Sequence, residues 1–63
     1  MAHLHVVPDG RTWAVETETG RTVSQGHRKK AKAVEAMDRA ANSGDTKYYH
    51  GSKGAILDVR THQ

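Results

Sequence analysis

The sequence predicts a small α+β domain, with elements in the order β-β-(β)-α-β-β: an antiparallel sheet with one helix packed on one face. Three observations carry this. Short runs with two-residue alternation lie on both sides of the chain's midpoint, and turn residues bound each of them. One alanine-rich stretch between them shows helical spacing instead. Sixty-three residues leave room for a single domain, residues 1–63.

The elements follow in order. His3 to Val7 reads as a strand, with Leu4 and Val6 on one face and His3, His5 and Val7 on the other. Pro8-Asp9-Gly10 is turn chemistry, since proline fixes φ and glycine tolerates positive φ. Arg11 to Thr19 reads as the second strand, with Trp13, Val15 and Thr17 on one face. Arg21 to Ser24 is a short extended piece, either strand or loop. Lys29 to Asn42 is the helix, with Ala33, Val34, Met37, Ala40 and Ala41 on its apolar stripe. Glu35 and Arg39 have the spacing of an i, i+4 ion pair. Asn42-Ser43-Gly44-Asp45 stops the helix, with Gly44 suited to a left-handed cap. Thr46 to His50 is a strand whose Tyr48 and Tyr49 point to opposite faces. Gly51-Ser52-Lys53-Gly54 is a hairpin turn. Ala55 to Arg60 is the last strand, with Ile56 and Leu57 as core candidates, and the three final residues are expected to fray. The helix covers one sheet face, and the other is expected to carry His, Thr, Glu and one Tyr.

The core is thin. Two Leu, one Ile, six Val and no Phe fall below the roughly 20% share at which disorder becomes an option. The ordered apolar pattern and modest net charge of +3 argue for a fold, and a second copy is a natural way to complete so small a core, hence an expected homodimer. The absence of cysteine excludes disulfides and thiolate metal sites. No apolar run is long enough to span a bilayer and no signal-peptide core precedes the first strand, so the expected setting is cytoplasmic, with no membrane partner.

Charge is concentrated in one place. Four of the ten Lys and Arg lie in Arg28-Lys29-Lys30-x-Lys32, and the rest of the chain has six bases against seven acids. A helix N-terminus carries a partial positive charge, so cations there cost roughly 0.3–1 kcal/mol each before screening. Cations beside exposed helix N–H groups suit phosphate. The predicted anion- or nucleic-acid-binding set is Arg28, Lys29, Lys30, Lys32, Lys47 and Lys53, with Arg60 as a further helper. The alternative partner is an acidic protein surface, and the plainer alternative is a solvated charged face. Tyr48 and Tyr49, beside Lys47 and His50, have the chemistry to stack on bases, though only the one that faces outward could serve; core packing is the expected role, as it is for Trp13. His3 and His5 share a face, with His50 close if their strands pair. Two histidines make no specific zinc site, so no metal and no cofactor are expected. Ser24, Ser43 and Ser52 have no identifiable base and orienting acid, and Gly51-Ser52-Lys53-Gly54 lacks the ending of a phosphate loop, so no enzyme is expected.

Four segments carry a family resemblance: His5-Val6-Val7-Pro8, Trp13-Ala14-Val15, the helical Ala33-Val34-Glu35-Ala36, and His50-Gly51-x-x-Gly54-x-Ile56. In order and spacing the chain resembles the small bacterial, archaeal and phage family known as domain of unknown function 2188, over about residues 3 to 60. The resemblance implies a ββαββ-type domain in the cytoplasm and implies no activity. Similar sequences usually open the helix with a Thr or Ser cap followed by polar or acidic residues. Here that stretch is basic.

Overall fold

The computed structural model describes residues 2–63. Its elements are β1 (His3–Asp9), β2 (Thr12–Thr17), β3 (Thr22–His27), α1 (Lys30–Ala40), β4 (Thr46–His50) and β5 (Ile56–Thr61). The five strands form one sheet in the order β3-β2-β1-β4-β5. It is mostly antiparallel, but β1 and β4 run parallel, with His5 opposite Tyr48 and Val6 opposite Tyr49. The sheet is therefore mixed rather than wholly antiparallel. The reason is the helix: it carries the chain from the β3 edge back across β2 and β1, so β4 enters beside β1 in the direction of β3.

Strand alternation sorts the side chains. Leu4, Val6 and Val15 face the helix, which supplies Ala33, Ala36 and Met37, and these six form the core, with Trp13, Val34, Ala41 and Tyr49 packed around it. Met37 is the largest fully buried side chain. Ala36 takes the place that the sequence pattern gave to Ala40, which is exposed. α1 packs on β1, β2 and β3. The alanines permit that close approach. One short helix does not reach across five strands, and β4 and β5 keep an open flank on its side.

This explains the largest departure from the sequence pattern. Ile56 and Leu57 are not core residues: they are 54% and 67% exposed, and Val59 is 50% exposed. Ile56 and Val59 lie on the face away from α1, opposite His50 and Tyr48, and Leu57 lies at the sheet edge beyond the helix. The extended piece after Gly20 is a full strand to His27, with two register irregularities against β2. Gly26, at φ +78°, supplies the backbone turn for one of them. The helix stops at Ala41, whose backbone is extended, so Gly44 (φ +90°) serves the following turn and not a helix cap. The C-terminus is pinned rather than frayed: His62 N–H donates to the Asp45 carbonyl at 2.8 Å, and Gly44 N–H donates to the His62 carbonyl at 2.9 Å. Asp45 organises this corner by accepting the N–H groups of Ala2 (2.9 Å) and Asn42 (2.8 Å). Gly51 to Ala55 closes as a hairpin turn through Gly51 N–H and the Ala55 carbonyl at 2.8 Å. No helix among the described residues is long and apolar enough to cross a membrane.

Candidate functional site

The basic cluster straddles the start of α1. Arg28 lies before the helix and is exposed, so it forms no i, i+4 pair with Lys32. Lys29 is the N-cap and makes no side-chain cap hydrogen bond. A lysine has no acceptor to offer the first N–H groups. The first turn contains no acid. Lys32 is exposed and stands 3.7 Å from Glu35, a spacing that replaces the expected Glu35–Arg39 pair. Both members are more than half exposed, so this pair adds little. Lys30 is half-buried, with Nζ 5.2 Å from the centre of the Trp13 ring, a cation–π contact that anchors the cluster to β2.

Lys30 also forms one lip of an open groove of about 820 Å³ between α1 and β5. The groove exists because α1 stops short of the far strands. Tyr49 and Lys47 line it from β4, and Arg60 and His62 from the C-terminal end. Its two carboxylates are engaged. Asp38 accepts from Lys47 Nζ at 2.9 Å, and Asp58 accepts from Arg60 Nε at 2.8 Å. Arg60 also lies 5.9 Å from the Tyr49 ring centre.

The six lysines and arginines singled out from the sequence are thus not one patch. Arg28, Lys29, Lys30 and Lys32 are together by chain continuity. Lys47 is brought beside Lys30 in the groove, but it is buried, and its ammonium is taken up by Asp38. The hydrogen bond that Lys47 donates to Asp38 outweighs burial and holds the ammonium above the ordinary lysine range. Lys47 occupies a helix-facing strand position, opposite Leu4, so its stem packs while its head reaches the helix. Lys53 is exposed in the β4–β5 turn, away from the groove lining. His62 was missed in the sequence because nothing local marks it. Its place follows from the backbone pairing with Asp45.

The sheet face away from α1 carries a second cluster. His5 stacks on Tyr48 with ring centres 4.3 Å apart and 8° between planes. His3 Nδ1 and Tyr48 OH are 3.0 Å apart, His5 Nδ1 and His50 Nε2 are 2.9 Å apart, and His50 Nδ1 donates to the Gly54 carbonyl at 2.9 Å. Parallel pairing of β1 with β4 makes this cluster. Burial, then His50, then His3 lower the His5 pKa from its ordinary 6.5, against the opposing pull of Glu18 and Glu16. Among the described residues no three His, Cys, Asp or Glu side chains converge as a metal-binding group.

One helix laid over part of a five-stranded mixed sheet, with a basic helix start and an open groove, defines a small α+β protein. The chain belongs to the family described as uncharacterized protein conserved in bacteria (DUF2188), which matches residues 4–62, nearly its whole length. No curated protein and no solved structure matches it.

Proposed function

We propose that this protein is a non-enzymatic binding module that contacts a polyanion, nucleic-acid backbone foremost, through Arg28, Lys29, Lys30 and Lys32. One observation carries the reading. The helix begins on an uncapped lysine with no acid in its first turn, so basic side chains stand beside first-turn N–H groups that no side chain caps. That arrangement opposes the helix dipole and is a cost to the free protein. A bound phosphate relieves it. Lys53 and Arg60 are secondary contacts, and Lys47 supports the groove wall through Asp38.

The test is a fluorescence-anisotropy titration with labelled single- and double-stranded DNA at low salt. Four phosphate contacts on duplex DNA predict a slope of log K against log salt of about −3.6. Reversing Arg28, Lys29 and Lys32 to Glu is expected to abolish binding at micromolar protein. Absence of binding by the wild type, or binding indifferent to these reversals, rejects the reading. A second reading, a protein-interaction module, is favoured by a different feature: the exposed apolar residues of β5.

A further inference from the structure

The sheet has two edges, and they differ. β3 is irregular, with register shifts at two places and a positive-φ glycine within it. Such distortion protects an edge from further pairing. β5 has one irregularity, between Ile56 and Asp58, and from Asp58 to Thr61 it runs in unbroken register with β4, contains no proline, and exposes Ile56, Leu57 and Val59. Its backbone is poised for another strand. His62 N–H points to β4, since it donates to the Asp45 carbonyl. By alternation the N–H groups of Val59 and Thr61 point away from the sheet. Val59 N–H confirms this: it is met only by its neighbour's carboxylate, Asp58 Oδ1, at 2.9 Å.

We propose that β5 pairs antiparallel with β5 of a second copy about a two-fold axis through Val59. The charges select that register. Asp58 and Arg60 share the helix-side face of β5, opposite Tyr49 and Lys47 respectively. With Val59 opposite the second copy's Val59, each Asp58 lies directly opposite an Arg60, and each Arg60 opposite an Asp58. Sliding by one pleat repeat either way sets Asp58 against Asp58, or Arg60 against Arg60. Opposite charges across strands stabilise, and like charges destabilise. The strand is complementary to itself in one register only. Directly opposed residues share a face, so both helices lie on the same side of the resulting ten-stranded sheet. Two basic helix starts then face one way. The pairing stands independently of polyanion binding, because it rests on β5 alone.

The test is sedimentation equilibrium on nuclease-treated protein from micromolar to millimolar concentration at low ionic strength. The wild type is expected to dimerise. Asp58→Arg and Arg60→Asp, each alone, set like charges across the axis and are expected to weaken dimerisation about tenfold or more. An equimolar mixture of those two variants restores every opposed pair and is expected to form heterodimers with near wild-type affinity. Val59→Pro removes an outward N–H that β4 does not use, and is expected to give a monomer with an unchanged far-UV circular dichroism spectrum. A wild type that stays monomeric overturns the proposal, and so does dimerisation that the single reversals do not weaken or that mixing does not rescue. If Val59→Pro fails to fold, the charge reversals and their mixture decide alone.

Discussion

Met37 and Leu57 make a paired test of where this protein keeps its stability. Both are large apolar side chains. Met37 is fully buried at the centre of the helix–sheet contact, and it is the only large side chain that the helix places in the fully buried core. Leu57 is two-thirds exposed. Truncating a buried Met to Ala costs about 2–5 kcal/mol, the spread depending on how far the neighbours collapse. Here Leu4, Val6 and Val15 sit on a hydrogen-bonded sheet and yield little, so the upper half of that range, about 3.5–5 kcal/mol, applies. At roughly 0.05–0.15 kcal/mol per residue, the whole domain has only about 3–9 kcal/mol to lose. Met37→Ala is therefore expected to remove between a third and all of the folding free energy. Leu57→Ala is expected to stay within about 0.5 kcal/mol. The assay is urea denaturation followed by Trp13 fluorescence at low micromolar protein. With a slope near 1 kcal/mol/M, suited to so small a chain, a loss of about 3.5 kcal/mol lowers the midpoint by about 3.5 M, enough to unfold the variant without urea at the low end of that stability range. Equal losses for the two variants, or a Met37→Ala loss under about 1 kcal/mol, would refute the assignment of the core to the α1 side of β1 and β2.

Two further outcomes follow from the polar contacts. Asp38→Ala leaves the Lys47 ammonium nearly buried without its acceptor and is expected to cost about 1–3 kcal/mol, whereas Lys47→Met keeps the packed stem, leaves Asp38 half-exposed, and is expected to cost less than about 1 kcal/mol; denaturation of both variants checks the asymmetry. His5 has its pKa lowered in the fold, so the unfolded chain takes up the proton first: its contribution to stability is complete above about pH 6.5 and declines as pH falls through the lowered folded value. Melting temperature is expected to drop on acidification from pH 7.5 to 5. By NMR, His5 is expected to titrate below 6.5 and to move upward in His50→Gln, with the opposite movement ruling out the contact at 2.9 Å as a cause.

Local chemistry in the sequence was enough for much of this protein. Alternation in His3–Val7 and Thr46–His50, the Gly51–Gly54 turn and the helical spacing of Ala33 and Met37 are properties of near neighbours, and the structure has these elements close to their expected bounds, whereas Pro8 and Asp9, expected in the first turn, extend β1 opposite Trp13 and Thr12 and leave the turn to Gly10 and Arg11. The helix-start cluster was legible for the same reason, since four adjacent side chains need no tertiary structure to bring them together. What the tertiary structure decided depends on pairing between distant segments. The parallel β1–β4 junction turns three separate histidines and Tyr48 into one cluster, and no local signal distinguishes that junction from an antiparallel one. Helix length and the uncovered second face decided the rest. An eleven-residue α1 covers β1 to β3, meets β4 at Lys47 and Tyr49 and leaves β5 uncovered, so Leu57 stands in solvent at the far edge; Ile56 lies opposite His50 on the face away from α1; and Lys47, polar in pattern, is drawn inward to Asp38. Alternation tells which side chains share a face of a strand; only the packed fold tells whether anything lies on that face.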